Sequence, residues 1–241
     1  MTVFDHKAVV WDLDGTLYYQ RKMRIKMGLE LLTYYILHPL SLKELLAVKK
    51  FREVREKWEE LEKEASSLMT EAIKGADDFI EAHGDCDILS ARQYLFVAKS
   101  LNMDSGKVKN AIDKWIYERP LDIIYKCRDD EAAELIGRLD REGIDNYIFS
   151  DYPIEDKLTA LKIKGIKGTY AATDERVGVL KPDPKGLCLI MKDHGLLPSE
   201  IIMIGDRMSR DGEAAKKAGC DYIILSKSRS ERAKQYRDMY K

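Results

Sequence analysis

The sequence predicts an α/β fold: a parallel sheet covered by helices, with an all-helical domain inserted behind its first strand. Three observations carry this. Short apolar runs at residues 8–11, 147–150 and 201–204 stop abruptly in a carboxylate, a hydroxyl or a glycine, as strands buried on both faces do. Beyond Pro120 such runs alternate with amphipathic stretches and no tight hairpin signal joins them, which argues for parallel pairing through helical crossovers. Between the first strand and this region lie roughly 100 residues of helical periodicity alone, and a connection of that length must carry its own core. The expected domains are therefore 1–19 with 120–241 for the α/β part and 20–119 for the helical part.

Composition narrows the class. A chain of 241 residues with 45% apolar and 34% charged side chains can bury such cores and reads as soluble and globular. A formal net charge of −1 gives no overall field toward nucleic acid or an anionic membrane, so neither is expected as a partner. Cys86, Cys127, Cys188 and Cys220 form no CxxC pair and no zinc-like spacing, the usage of reduced thiols in a cytosolic protein. The N-terminus runs straight into the first strand and leaves no room for a signal peptide, so a cytoplasmic location is expected. The most membrane-like stretch, residues 27–40, is interrupted by Glu30, His38 and Pro39 and falls short of the ~20 apolar residues of a span. Its apolar side is expected to pack on the α/β domain, with docking on a membrane or a lipid-like substrate as the alternative.

Taken in order, the opening strand at 8–11 ends in Asp12-Leu13-Asp14-Gly15-Thr16. Ile25, Leu29, Leu32, Tyr35 and Ile36 then recur at helical spacing, and Pro39 stops that helix. Ser41 with Glu44 three residues on reads as a capping box. It opens a long helix over about 41–66, with Leu45, Val48, Phe51, Val54, Trp58, Leu61 and Ala65 on one side. That stripe suits packing within the helical domain, although its length also admits a coiled coil or a partner surface. Gly75 ends this helix or a neighbour, and further helices follow at about 91–101 and 105–117. In the α/β region, 131–142 is an amphipathic helix closed by Gly143. Strand 147–150, helix 154–161, strand 168–172 and helix 184–194 come next. Strand 201–204, a helix to Gly219 and strand 222–225 complete the pattern.

Four places at strand ends or in the loops behind them carry chemistry. In an open α/β sheet ligands gather at the carboxyl ends of strands, where Asp12 and Asp14 would sit. One carboxylate can attack or bind metal while the other moves protons. Gly15 allows a sharp turn, and Thr16 offers a hydroxyl and an amide to an anion. Ser150-Asp151 closes the second strand. Lys181 precedes a helix start marked by Pro184, and Asp206 and Asp211 bracket a loop entering another helix. Alone, each has a plainer reading: an acidic turn, a turn-forming serine, a solvated Lys-Pro loop, an N-capping aspartate.

Together, Val9-Val10-Trp11-Asp12-Leu13-Asp14-Gly15-Thr16-Leu17, the Ser150 and Lys181 sites and the Asp206–Asp211 loop resemble the four motifs of the haloacid dehalogenase-like superfamily in its phosphatase version. The resemblance covers residues 1–19 and about 120–226, and the helical insertion resembles that family's C1-type cap. It implies a Rossmann-like parallel sheet and a Mg²⁺-dependent phosphatase acting on a small phosphorylated metabolite through an aspartyl phosphate. Asp12 would be nucleophile and metal ligand, and Asp14 the general acid and base, lending the metal its backbone carbonyl. Gly15, Thr16, Ser150 and Lys181 would bind the phosphoryl group, while Asp206 completes the metal site and Asp211 stands as a further ligand or just behind one. The family often has asparagine where this chain has Asp151; its carboxylate would repel phosphate, so it is expected to face away and leave only its amide to the site. The dehalogenase branch lacks the second aspartate. A phosphomutase, or a non-catalytic binding protein with the cap as partner surface, are the alternatives, and the oligomeric state is open.

Overall fold

The computed structural model describes residues 2–38, 41–84 and 86–240. The chain divides into two compact units, one of Met1–Met23 with Ile124–Lys241 and one of Arg24–Ile123. In the first, β1 (Ala8–Trp11), β2 (Asp145–Ser150), β3 (Gly168–Ala171), β4 (Ile201–Gly205) and β5 (Asp221–Ile224) form one sheet in the order β3-β2-β1-β4-β5. All four pairings are parallel. β1 is fully buried and central because every one of its side chains is apolar and both faces are covered. Trp11 lies level with Ile148 of β2 and Ile204 of β4. This register brings Asp12, the Ser150-Asp151 pair and the Gly205-Asp206 pair out at the same sheet edge.

The second unit is all helical: α1 (Gln20–Leu37, its first turn in the first unit), α2 (Leu42–Glu56), α3 (Trp58–Glu64), α4 (Ser67–Lys74), α5 (Ala76–His83), α6 (Ile88–Leu101) and α7 (Ser105–Ile112). A π-type segment, Asp113–Glu118, follows α7, and a short α8 (Leu121–Ile124) closes the unit. Ala47, Val48, Phe51 and Val54 of α2 bury against this unit's interior with Tyr94 of α6 5.6 Å from Phe51.

Several expectations change here. The single helix over 41–66 is two: α2 ends at Lys57, and α3 ends at Ala65 in the left-handed region with φ +44°. Trp58, on the expected stripe, is buried directly after the break, its ring meeting Phe96 edge-on at 6.3 Å. The capping box does not form, because Ser41 has ψ 6° and makes no side-chain cap bond; an N-cap needs extended backbone to aim its hydroxyl at the first turn. The expected stop at Pro39 lies outside the described residues. Most consequentially, of the five residues in the expected stripe only Tyr35 is buried, together with Met23 and Met27, while Ile25, Leu29, Leu32 and Ile36 are 59–70% exposed. Four of the five residues of the expected packed stripe are thus open.

Helices α9 (Asp130–Arg141), α10 (Glu155–Leu161), α11 (Lys185–His194), α12 (Glu213–Ala218) and α13 (Arg229–Met239) accompany the sheet. Leu187 and Ile190 of α11 and Ala214 and Ala215 of α12 share one apolar core with Val10, Phe149 and Met203. On α9 the buried residues Ala132, Leu135, Ile136 and Leu139 recur at helical spacing. The sequence pattern stops at the last strand, so α13 is an addition: it is strongly polar and is held by Arg232, Tyr236 and Met239, its buried residues.

Candidate active site

Asp12 directly follows β1, and its N–H donates to the Ile204 carbonyl at 2.8 Å, extending the ladder into the site. Its carboxylate accepts from Thr16 Oγ1 at 2.9 Å and from Lys181 Nζ at 2.6 Å. The same ammonium donates to Asp211 Oδ1 at 2.6 Å and to the Phe149 carbonyl at 3.2 Å. Asp211 sits on a π-type turn, Met208–Gly212, and its other oxygen accepts from the N–H groups of Asp206 and Arg207. One carboxylate oxygen from each of Asp12, Asp206 and Asp211 lies within 4.8 Å of the others. Two glycines make room for this cluster. A Cβ on Gly15, whose φ is +101°, would stand 2.5 Å from Asp206 Oδ2, and one on Gly205 would stand 2.3 Å from Asp211.

The remaining residues singled out in the sequence have other immediate partners. Asp14 accepts from Lys157 Nζ at 2.7 and 2.8 Å and from the Tyr18 hydroxyl. Ser150 is fully buried at the end of β2, and its hydroxyl accepts from the Tyr152 N–H. The Asp151 carboxylate accepts from the backbone N–H of Lys181 at 2.8 Å. It therefore shapes the Lys181 loop, which the Arg210 guanidinium grips by the Lys181 carbonyl. Thr16 spends its hydroxyl on Asp12.

Electrostatically the cluster is short of positive charge. Burial, opposed by Lys181 and assisted by Asp211 and Asp206, holds the Asp12 carboxyl well above the ordinary carboxylate range. Burial and the neighbouring Asp211 also raise that of Asp206. Burial works against a charged Lys181, yet Asp12 and Asp211 outweigh it and keep the ammonium protonated far into the alkaline range. Lys181 thus bonds two of the three carboxylates, and the buried Oδ1 of the third, Asp206, has no hydrogen-bond partner among the described residues. An all-oxygen donor set with a surplus of negative charge fits a hard divalent cation. Asp14 is the contrast. Burial disfavours its charge, but Lys157 and Tyr18 prevail and bring its carboxyl below the ordinary range.

The haloacid dehalogenase-like hydrolase family matches the chain over residues 6–219. The chain belongs to this family. Solved structures with the same fold include the L-2-haloacid dehalogenase of Xanthobacter autotrophicus (16% identity, 95% of this chain and 81% of that one, TM-score 0.53). Others are a predicted phosphoglycolate phosphatase of Haemophilus somnus 129PT (19%, 92% and 86%, TM-score 0.52) and a HAD phosphatase of Thermococcus onnurineus (19%, 91% and 86%, TM-score 0.51). Comparison with curated proteins finds no match.

In this haloacid dehalogenase-like hydrolase three groups of the site escape a reading by motif. Lys157 and Tyr18 flank Asp14, and only the position of Tyr18, four residues beyond it, hints at the contact. The third is Arg232 of α13, which donates to the carbonyls of Gly15 and Thr16 and to Asp129 Oδ2 at 2.9, 3.4 and 3.2 Å. It grips the loop behind Asp12 from 216 residues away in sequence, and no local spacing announces it.

Proposed function

We propose that the chain is a Mg²⁺-dependent phosphatase that hydrolyses a small phosphorylated metabolite through a phosphoryl group carried on Asp12. The observation that carries this reading is the division of labour between Asp12 and Asp14. One is held by Thr16 and Lys181 at the three-carboxylate cluster; the other is turned to Lys157 and Tyr18. Asp12, the Asp14 carbonyl, Asp206 and Asp211 would hold the ion. When bound, Mg²⁺ neutralises charge between the phosphate dianion and the attacking carboxylate.

The chain's own groups do the rest. An oxygen of Asp12 bonds to phosphorus as the bond from phosphorus to the ester oxygen breaks. Held by Lys157 and Tyr18, Asp14 is ionised; to pass a proton to the departing oxygen it must first turn from Lys157 and take one up, and the carboxylate left behind then takes a proton from the water that splits phosphorus from Asp12. Lys157 and Tyr18 fix the orientation of Asp14 between these steps. Lys181 remains cationic throughout and draws the equatorial oxygens toward it, where charge spreads in the transition state. A carboxylate in the position of Asp14 gives proton transfer that a halide leaving group does not require.

The test is a panel of phosphate monoesters assayed for released phosphate with Mg²⁺ and with chelator, beside 2-chloropropionate assayed for chloride. Phosphate release that needs Mg²⁺ supports the proposal. Chloride release without phosphate release, or full turnover in chelator, overturns it.

A further inference from the structure

Twelve large hydrophobic side chains are exposed among the described residues, and eight of them fall between Ile25 and Leu46: Ile25, Leu29, Leu32, Ile36 and Leu37 on α1, and Leu42, Leu45 and Leu46 on α2. Single exposed leucines are ordinary, but a concentration of this kind marks a surface that meets something apolar. The first four follow at intervals of four, three and four residues and form a stripe along one side of α1. Helix α1 is thus apolar on two sides, with one turned inward through Met27 and Tyr35 and the other left open.

The charges around the stripe decide what can cover it. Arg24 and Lys26 project about 100° to either side of it, and Arg21 and Lys22 stand in the first turn; all four are exposed. The one acid of α1, Glu30, is half-buried and paired with Arg119. Lys43 adds a further exposed cation at the start of α2. A second copy of the chain would bring the same cations with no free acid on α1 to meet them. Among the described residues no helix is long and apolar enough to cross a membrane. An apolar stripe flanked by Arg and Lys is the pattern of a helix resting at the boundary of headgroups and acyl chains, drawn there by anionic lipid.

We propose that the open face of α1 docks this protein on an anionic lipid surface, in place of the expectation that it has no membrane partner. The inference is independent of the catalytic proposal, because it uses none of its residues.

The experiment is cosedimentation of the purified full chain with vesicles of equal parts phosphatidylcholine and phosphatidylglycerol, and with vesicles of phosphatidylcholine alone. The chain is expected to partition onto the mixed vesicles about tenfold or more better than onto the neutral ones, and to leave them at high salt. Leu29→Ser with Ile36→Ser should abolish binding, and Arg24→Glu with Lys26→Glu should weaken it about thirtyfold or more. Both variants should keep the wild-type circular dichroism spectrum and its turnover of a soluble phosphate ester. No sedimentation with either vesicle overturns the proposal, as do binding indifferent to lipid charge and variants that bind like wild type. A wild-type dimer that the serine variant dissolves, without vesicle binding, would assign the face to a second copy instead.

Discussion

Asp12 and Asp14 show how far two identical side chains, separated by one residue, can be driven apart by their surroundings. Replacing Asp12 by Asn is nearly isosteric but removes the proposed nucleophile, so turnover should fall about a thousandfold or more in a phosphate-release assay. Gly15→Ala tests the cluster from outside its ligands. The new Cβ would press on Asp206 in a backbone conformation that favours glycine, and Mg²⁺ affinity measured by calorimetry should drop about tenfold or more. The raised carboxyls of Asp12 and Asp206 also set a pH dependence. A carboxyl whose folded value is raised favours folding below its unfolded value, 3.8, and that contribution is lost as pH climbs through the folded value. In chelator the melting temperature should therefore decline as pH rises above 3.8, and Mg²⁺ should restore it most at the alkaline end of that decline. Lowered Asp14 acts only on the acid side of 3.8 and does not obscure this window. The carboxylates and Lys181 were legible in the sequence because each hangs on the end of an apolar strand or the loop behind it. Lys157 was not, since a lysine on a helix reads as solvated until the fold turns it inward.

Among the elements, β1 to β5 and the helices between them were readable because burial on both faces leaves uninterrupted apolar runs, and crossovers leave amphipathic ones. The misreadings share a cause: tertiary contacts overrode local pattern. The helix breaks at Lys57 although its apolar stripe runs on through Trp58, and the backbone at Ser41 denied a cap that its sequence invited. Helix α13 had no apolar periodicity to find, because polar anchors hold it. Arg232 is the chief of these, 2% exposed and joined to Asp129, itself 1% exposed. Arg232→Met should cost about 3 kcal/mol in urea unfolding, since it strands the Asp129 charge in the interior. It should also raise KM more than it lowers kcat, because the Gly15-Thr16 turn loses its hold from behind. A variant with the expected stability loss and unchanged KM would leave α13 a purely structural role.

Across the whole molecule, every residue of the proposed chemistry lies in the unit of Met1–Met23 and Ile124–Lys241. Exchanging residues 24–123 for a short Gly/Ser linker should leave Mg²⁺ affinity within about tenfold of the parent if that unit folds alone, and circular dichroism reports whether it does. The shortened chain should lose the parent's ranking of phosphate esters; an unchanged ranking would remove the helical unit from substrate choice. The chain on either side of the exchanged segment is already stitched together. Tyr18 bridges Arg128, the Tyr19 N–H donates to the Cys127 carbonyl at 2.8 Å, and the Asp129 N–H to that of Leu17 at 3.0 Å. These are main-chain bonds, which a wide range of side chains would permit, and they hold the two strands side by side whatever runs between them. For a flexible connection, doubling its length would add only about 0.6 kcal/mol to the entropy of closure. The α/β unit is in effect a socket with a fixed bore: inserts of different length can be plugged into it at little thermodynamic penalty, and the carboxylate cluster behind it need not be rebuilt.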